Sequence, residues 1–171
     1  NAFLHSLRPF IWRKNLDFAA IQDIHSVKRQ INAQYPNQKI EVQGHNIKLG
    51  RGGIREIEFF AQTQQLIWGG RIPELRRVMI LNVLKILAKK GRITEIVAKE
   101  LQEAYLFLRH IEHRLQMIND TQTHEIPRTK EKAFNLAIFL KFRNFTSFET
   151  ALLRQLHCVE SHYANLFTES P

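Results

Sequence analysis

Between Val97 and Ile118 apolar residues recur at helical spacing and form one continuous stripe: Val97, Leu101, Ala104, Tyr105, Leu108, Ile111, Leu115 and Ile118. At 3.6 residues per turn this spacing draws one apolar stripe down one side of a helix. A strand could not bury it, because its side chains change face at every residue. The helix that carries it, from Thr94 to about Ile118, makes about seven turns, long enough to cross a whole domain. Thr94 stands where an N-cap belongs. A helix from Thr94 to about Ile118 commits the rest of the chain to covering its apolar face.

The same spacing recurs on both sides. Leu16, Ala19, Ala20, Ile24, Val27 and Ile31 predict a helix over Asn15 to Tyr35, stopped by Pro36. A second should run from about Gly53 to Trp68 and end at Gly69-Gly70. A third fits Pro73 or Glu74 to Lys90, with proline in its first turn and Gly91 just past its end. Two more follow the long helix, Lys130 to about Phe142 and Ser147 to about Phe167. Phe134, Phe139, Phe142, Phe145 and Phe148 read as core packing rather than a base-stacking surface. Only Pro36 to Gly53 lacks the period. Ile40-Glu41-Val42 and Ile47-Lys48-Leu49 alternate there around Gln43-Gly44-His45-Asn46, so a small hairpin is predicted. The fold class expected is all-α: one helical domain over residues 1–171, a bundle of five or six helices with one short β-hairpin-like insertion.

Composition agrees. Seven Gly and five Pro are few for an all-β chain of 171 residues. No apolar run approaches the roughly 18 residues of a membrane span. The single cysteine, Cys158, excludes an internal disulfide framework and suits a cytoplasmic setting. Its side chain reads as a small buried hydrophobe, with a reactive thiol as the alternative. The formal net charge is +9. Such an excess points to an anionic partner or to an acidic neighbouring domain. The chain opens on Asn1 rather than Met and is expected to be a piece of something longer.

The chemistry concentrates in two places. Gly50-Arg51-Gly52-Gly53 opens a predicted helix, where backbone N–H groups and the positive dipole end favour an anion. Lys48, Arg51 and Arg55 add full charges. This is neither a Walker A loop nor G-x-G-x-x-G, and a plain turn into a helix remains the alternative. Arg55, Glu58, Gln62 and Gln65 line one helix, and Arg109, Glu112, His113 and Gln116 line another. These stripes either face water and each other, or converge on a cleft. Glu56 and Glu58 lie on different faces and cannot act as a paired acid and base on one atom. His110, Glu112 and His113 lack further ligands at a recognisable spacing, so no metal site is expected.

Asn46-Ile47-Lys48-Leu49-Gly50-Arg51-Gly52-Gly53-Ile54-Arg55-Glu56-Ile57-Glu58-Phe59 is distinctive, as are Phe107-Leu108-Arg109-His110-Ile111-Glu112-His113-Arg114-Leu115-Gln116 and the residues to His124. With Arg8-Pro9-Phe10-Ile11-Trp12-Arg13-Lys14-Asn15, they resemble the bacterial bifunctional glutamine synthetase adenylyltransferase/adenylyl-removing enzymes. The resemblance covers about Arg8 to Pro127 and is weaker beyond. Each half of those enzymes is a nucleotidyltransferase domain followed by a helical domain, and this chain looks like the helical companion in the deadenylylating half. The family's Gly-Asp-x-Asp metal motif is absent here, so the catalytic residues are expected upstream and the fragment alone is expected to be inactive.

The resemblance implies several things for the parent enzyme. It would use Mg2+ with ATP, ADP and phosphate, and would have glutamine synthetase and the PII signalling protein as partners. It would lie in the cytoplasm, with no membrane or nucleic-acid partner. Lys48, Arg51, Gly52, Gly53, Arg55, Glu56 and Glu58 become candidates to face the nucleotidyltransferase cleft. Arg109, Glu112, His113 and Gln116 form a secondary stripe. Two alternatives are a basic nucleic-acid-binding or regulatory interaction module, and the helical part of a PII uridylyltransferase.

Overall fold

Five α-helices follow one another along the described part of the chain: α1 (Ile54–Trp68), α2 (Ile80–Lys89), α3 (Glu95–Asn119), α4 (Lys130–Phe139) and α5 (Phe145–Asn165). The computed structural model describes residues 6–7, 11–12, 22–23, 26–27, 30, 39–76, 79–119 and 123–165. The helix expected over Asn15 to Tyr35 lies largely outside these residues. No strand occurs among them, and none of their helices is long and apolar enough to cross a membrane. The all-α expectation is met.

Helix α3 matches its stripe through the middle, whereas Ile118 at its end is exposed. Leu101, Ala104, Leu108, Ile111 and Leu115 are all buried. Thr94 caps it, its Oγ1 accepting from the Val97 amide at 3.2 Å. Helix α1 likewise ends at Trp68, where the Gly69 and Arg71 amides close the last turn.

Residues 73–90 depart from the expected single helix. Pro73–Leu75 form one 3-10 turn, and α2 starts only at Ile80. Met79 takes an extended conformation, φ −83° and ψ 119°, which a continuous helix would not allow. Helix α4 also stops early, at Phe139, because Lys141 adopts φ 64° and the Phe142 amide turns back to the Ala137 carbonyl.

The chain divides into two compact units. One lies within Asn1–Pro36 and Glu58–Ala98, the other within Asn37–Ile57 and Lys99–Pro171. The first is centred on Ala61, Ile72, Leu75, Val83 and Leu87, with Trp68, Ile80, Ile86 and Ile93 packed against them. Gln65 Nε2 donates to the Leu75 carbonyl at 2.6 Å, and Arg76 Nε donates to the Gly69 carbonyl at 2.7 Å. Arg92 lies 3.9 Å from the Trp68 ring centroid, a cation–π contact.

In the second unit α4 packs on α5. Phe148 is fully buried and meets Phe142 edge-on, with ring centroids 5.4 Å apart. Phe134 and Phe139, also expected in the core, are exposed.

The predicted hairpin does not form. Val42 to Gly44 turn, and the Asn46 side chain accepts from the amides of Lys48 and Leu49 at 3.1 and 2.8 Å, winding Ile47-Lys48-Leu49 into a turn as well. Asn46 forms a single antiparallel bridge instead, with Glu125.

Candidate functional site

The turn from Asn46 to Gly53 carries most of the chemistry, and its backbone is hydrogen-bonded to itself. The Ile54, Arg55 and Glu56 amides, which open α1, donate to the carbonyls of Ile47, Lys48 and Gly53 at 3.0, 3.0 and 3.1 Å. The Gly52 amide donates to the Glu56 carboxylate at 2.9 Å. Unpaired N–H groups at a helix start are what would hold a phosphate. Here these amides already have acceptors, so the expected backbone cradle is closed.

Gly52 explains why. Its φ is +71°, and a Cβ built on it would fall 2.6 Å from the carbonyl carbon and 2.7 Å from the Cα of Leu156. The turn therefore lies directly on the α5 backbone, and the glycine serves that contact. Gly53 is equally confined, with the carbonyl oxygens of Gly50 and Ile47 each 2.8 Å from its would-be Cβ. Arg51 reaches α5 too, pairing with Glu160.

Of the two sequence stripes, the second meets the turn at Glu112, a carboxylate with 2% of its side chain exposed. Arg109 Nη1 donates to Oε2 at 2.6 Å. Lys48 Nζ stands 3.6 Å from Oε1, and His124 Nδ1 stands 3.1 Å from the same oxygen. Neither gives Oε1 a well-aligned hydrogen bond. The segment bearing His124 is pinned beside the turn by its backbone: Ile47 N donates to His124 O and Ile126 N to His45 O, both at 2.9 Å. One buried anion thus ties together the turn, α3 and residues 123–126.

A carboxylate so surrounded holds geometry. It is committed to its cations and is poorly placed to move protons on a substrate. His124, twelve positions past Glu112, carries no spacing signal that could have placed it here.

The other candidates are distributed differently. Arg55 is exposed, with no ion pair among the described residues. Glu58 and Gln116 are half-buried, whereas His110 and His113 are exposed, apart from the buried Glu112. His45 is buried with its Nε2 unpartnered, and burial holds its pKa below the ordinary 6.5 despite a backbone hydrogen bond with Arg51. Cys158 is half-buried. Desolvation, then the Glu100 carboxylate, push its thiol up to about 11, which argues against a nucleophile.

The family model for GlnD PII-uridylyltransferase matches residues 25–167. A bifunctional glutamine synthetase adenylyltransferase/adenylyl-removing enzyme of Rhizobium meliloti (strain 1021) is 55% identical over 98% of this chain. Enzymes of the same name from Rhodopseudomonas palustris (strain TIE-1) and Bradyrhizobium diazoefficiens are 53% and 51% identical over 100% and 97% of it. The chain spans 17% of the length of each of these relatives.

Proposed function

The chain belongs to the GlnD PII-uridylyltransferase family, and from that premise we propose that it is the helical companion of a nucleotidyltransferase domain in a glutamine synthetase adenylyltransferase/adenylyl-removing enzyme. The observation that carries this reading is 51–55% identity, along nearly the whole chain, to enzymes of that name. The parent removes AMP from glutamine synthetase through this half and adds it through the other. It answers to PII and works in the cytoplasm.

Mg2+ and the nucleotide belong to the nucleotidyltransferase domain. The carboxylates here do not suit a paired metal clamp, since Glu56 is engaged with the Gly52 amide and Glu58 lies on another helix face. The part left to this chain is to present charge toward that domain. With Lys48 near Glu112, Arg51 paired to Glu160 and the helix amides satisfied, Arg55 is the cation of the segment best placed to meet an anion. The rigid turn beneath fixes where it stands.

A charge-assisted contact is worth about 1.5–3 kcal/mol, so Arg55→Ala in the intact parent should slow AMP removal about tenfold or more. Its melting temperature should stay unchanged, and the fragment alone should release no ADP from adenylylated glutamine synthetase in phosphate. Wild-type rates for Arg55→Ala would refute the role of this segment. ADP release by the fragment would refute its place as a companion domain.

A further inference from the structure

We propose that Glu100, Cys158 and His162 form a binding site for a divalent transition-metal ion, with Zn2+ the best match. Glu100 comes from α3, and Cys158 and His162 from α5, one turn apart on the same face. One ligand atom from each, a carboxylate oxygen, Sγ and a ring nitrogen, lie within 4.8 Å of one another. All three belong to the same compact unit.

The donor set selects the ion. One sulfur, one imidazole nitrogen and one carboxylate oxygen suit zinc, whereas Mg2+ and Ca2+ prefer oxygen alone. Three protein ligands leave a fourth tetrahedral position for water, the pattern of zinc sites that stay open. Exposure agrees: the His162 side chain is 17% exposed, and the Glu100 side chain, at 44%, leaves a way in for the ion.

Little movement is needed. Zinc bonds of about 2.0–2.3 Å set tetrahedral ligands about 3.3–3.7 Å apart. His162 Nε2 and Glu100 Oε2 are now 2.6 Å apart, joined by a hydrogen bond. They would part by about 1 Å or less on that geometry, and the thiol, no more than 4.8 Å from either atom, would close by at most about 1.5 Å. On binding, the Cys158 S–H bond breaks and its proton leaves to solvent. The proton held between His162 Nε2 and Glu100 Oε2 is also given up, to solvent or to His162 Nδ1, while bonds from Sγ, Nε2 and Oε2 replace three metal–water bonds.

A hydrogen-bonded Glu–His pair linking two helices would account for the 2.6 Å contact alone. It would not account for the thiol beside them. The Cys158 Sγ lies within 4.8 Å of both ligand atoms of that pair, so all three donors share one point. His110 and His113, at i,i+3 on one helix, are exposed and do not belong to this cluster. The three that converge are 58 and 62 positions apart along the chain from α3 to α5, and only the fold brings them together.

The test uses Co2+ as a spectroscopic stand-in for Zn2+ on the intact, chelator-stripped protein that contains this chain. The expected result is a thiolate-to-cobalt charge-transfer band that saturates at one ion per chain and is erased by Zn2+. It should be missing in Cys158→Ser. Affinity in His162→Gln or Glu100→Gln should fall by more than the about 10–100-fold typical of losing an outer hydrogen-bond partner of a metal ligand. Circular dichroism checks that each variant is folded. If Cys158→Ser does not fold, the same band is sought in wild type after alkylation of Cys158, where it should be absent. No band in wild type, or a band unchanged in Cys158→Ser or after alkylation, would overturn the proposal.

Discussion

Replacing Gly52 by alanine tests the central contact of the turn with α5. Two costs act there. At φ +71° an L-residue is strained by about 1–2 kcal/mol. The added Cβ also lands 2.6 Å from the Leu156 carbonyl carbon, which is backbone and cannot swing aside. Overpacking of this kind costs about 1–3 kcal/mol, even when the neighbours shift. The sum is about 2–5 kcal/mol. For a chain of this size each 1 kcal/mol lowers the melting temperature by about 2–4 °C, so a loss of roughly 4–20 °C is expected.

Gly91 supplies the control. Its φ is +64° and nothing lies within 4 Å of its would-be Cβ, so Gly91→Ala carries only the strain. Thermal or urea unfolding of the two variants, side by side, separates packing from backbone conformation. Should Gly52→Ala cost no more than Gly91→Ala, the turn does not lie on α5 as described.

Three further outcomes follow from the same geometry. Glu112 is the buried member of its cluster, while Lys48 and Arg109 reach water, so stranding the anion should cost more than removing it. Urea midpoints should therefore fall further for the Lys48→Met/Arg109→Met double variant than for Glu112→Gln, and the reverse order would contradict the cluster. His45 has a folded-state pKa below its unfolded 6.5, so the unfolded chain binds more protons between the two values. Its contribution is complete above pH 6.5 and is lost as pH falls toward the folded value; His45→Gln should flatten that part of the stability–pH curve, and an unchanged slope would count against burial of a neutral ring. With its thiol near 11, metal-free Cys158 should react with iodoacetamide at pH 8 about 100-fold more slowly than an ordinary thiol, its rate still climbing above pH 9; a plateau by pH 9 would show the thiol is not shielded.

What the sequence reveals follows from how local each signal is. The stripe of α3, the Thr94 cap and the end of α1 at Gly69-Gly70 depend on near neighbours, and each is found where periodicity and cap chemistry put it. The failures come from local patterns that a competing local bond overrides. Ile47-Lys48-Leu49 alternates like a strand, yet the Asn46 side-chain Oδ1 accepts from the Lys48 and Leu49 amides and curls it into a turn. Apolar spacing from Leu75 onward suggests one helix, but it does not register the extended Met79 that splits it. The convergence on Glu112 was half visible. Lys48 and Arg109 each carry a pattern that marks them, whereas His124 arrives through backbone pairing between residues 44–47 and 124–126.

The glycine-rich turn shows why such a motif is ambiguous before the fold is known. Positive φ and absent side chains suit a loop that wraps a phosphate, and they equally suit a loop pressed against a helix. The two uses compete for the same groups. A cradle needs its amides unpaired, while a turn docked on a helix gains stability by pairing them. Here the Ile54, Arg55 and Glu56 amides are paired within the turn, and the Gly52 amide is held by Glu56. Lys48 and Arg51 are drawn to carboxylates of α3 and α5. A charge that counts toward +9 in composition is then already offset locally, so net charge overstates what this surface offers a ligand. What remains outward is Arg55, one turn residue away from a backbone that packing holds rigid. A single cation on a fixed base loses little conformational entropy when it meets an anion. For that reason Arg55 should govern a rate, whereas Arg51 and Gly52 should govern stability.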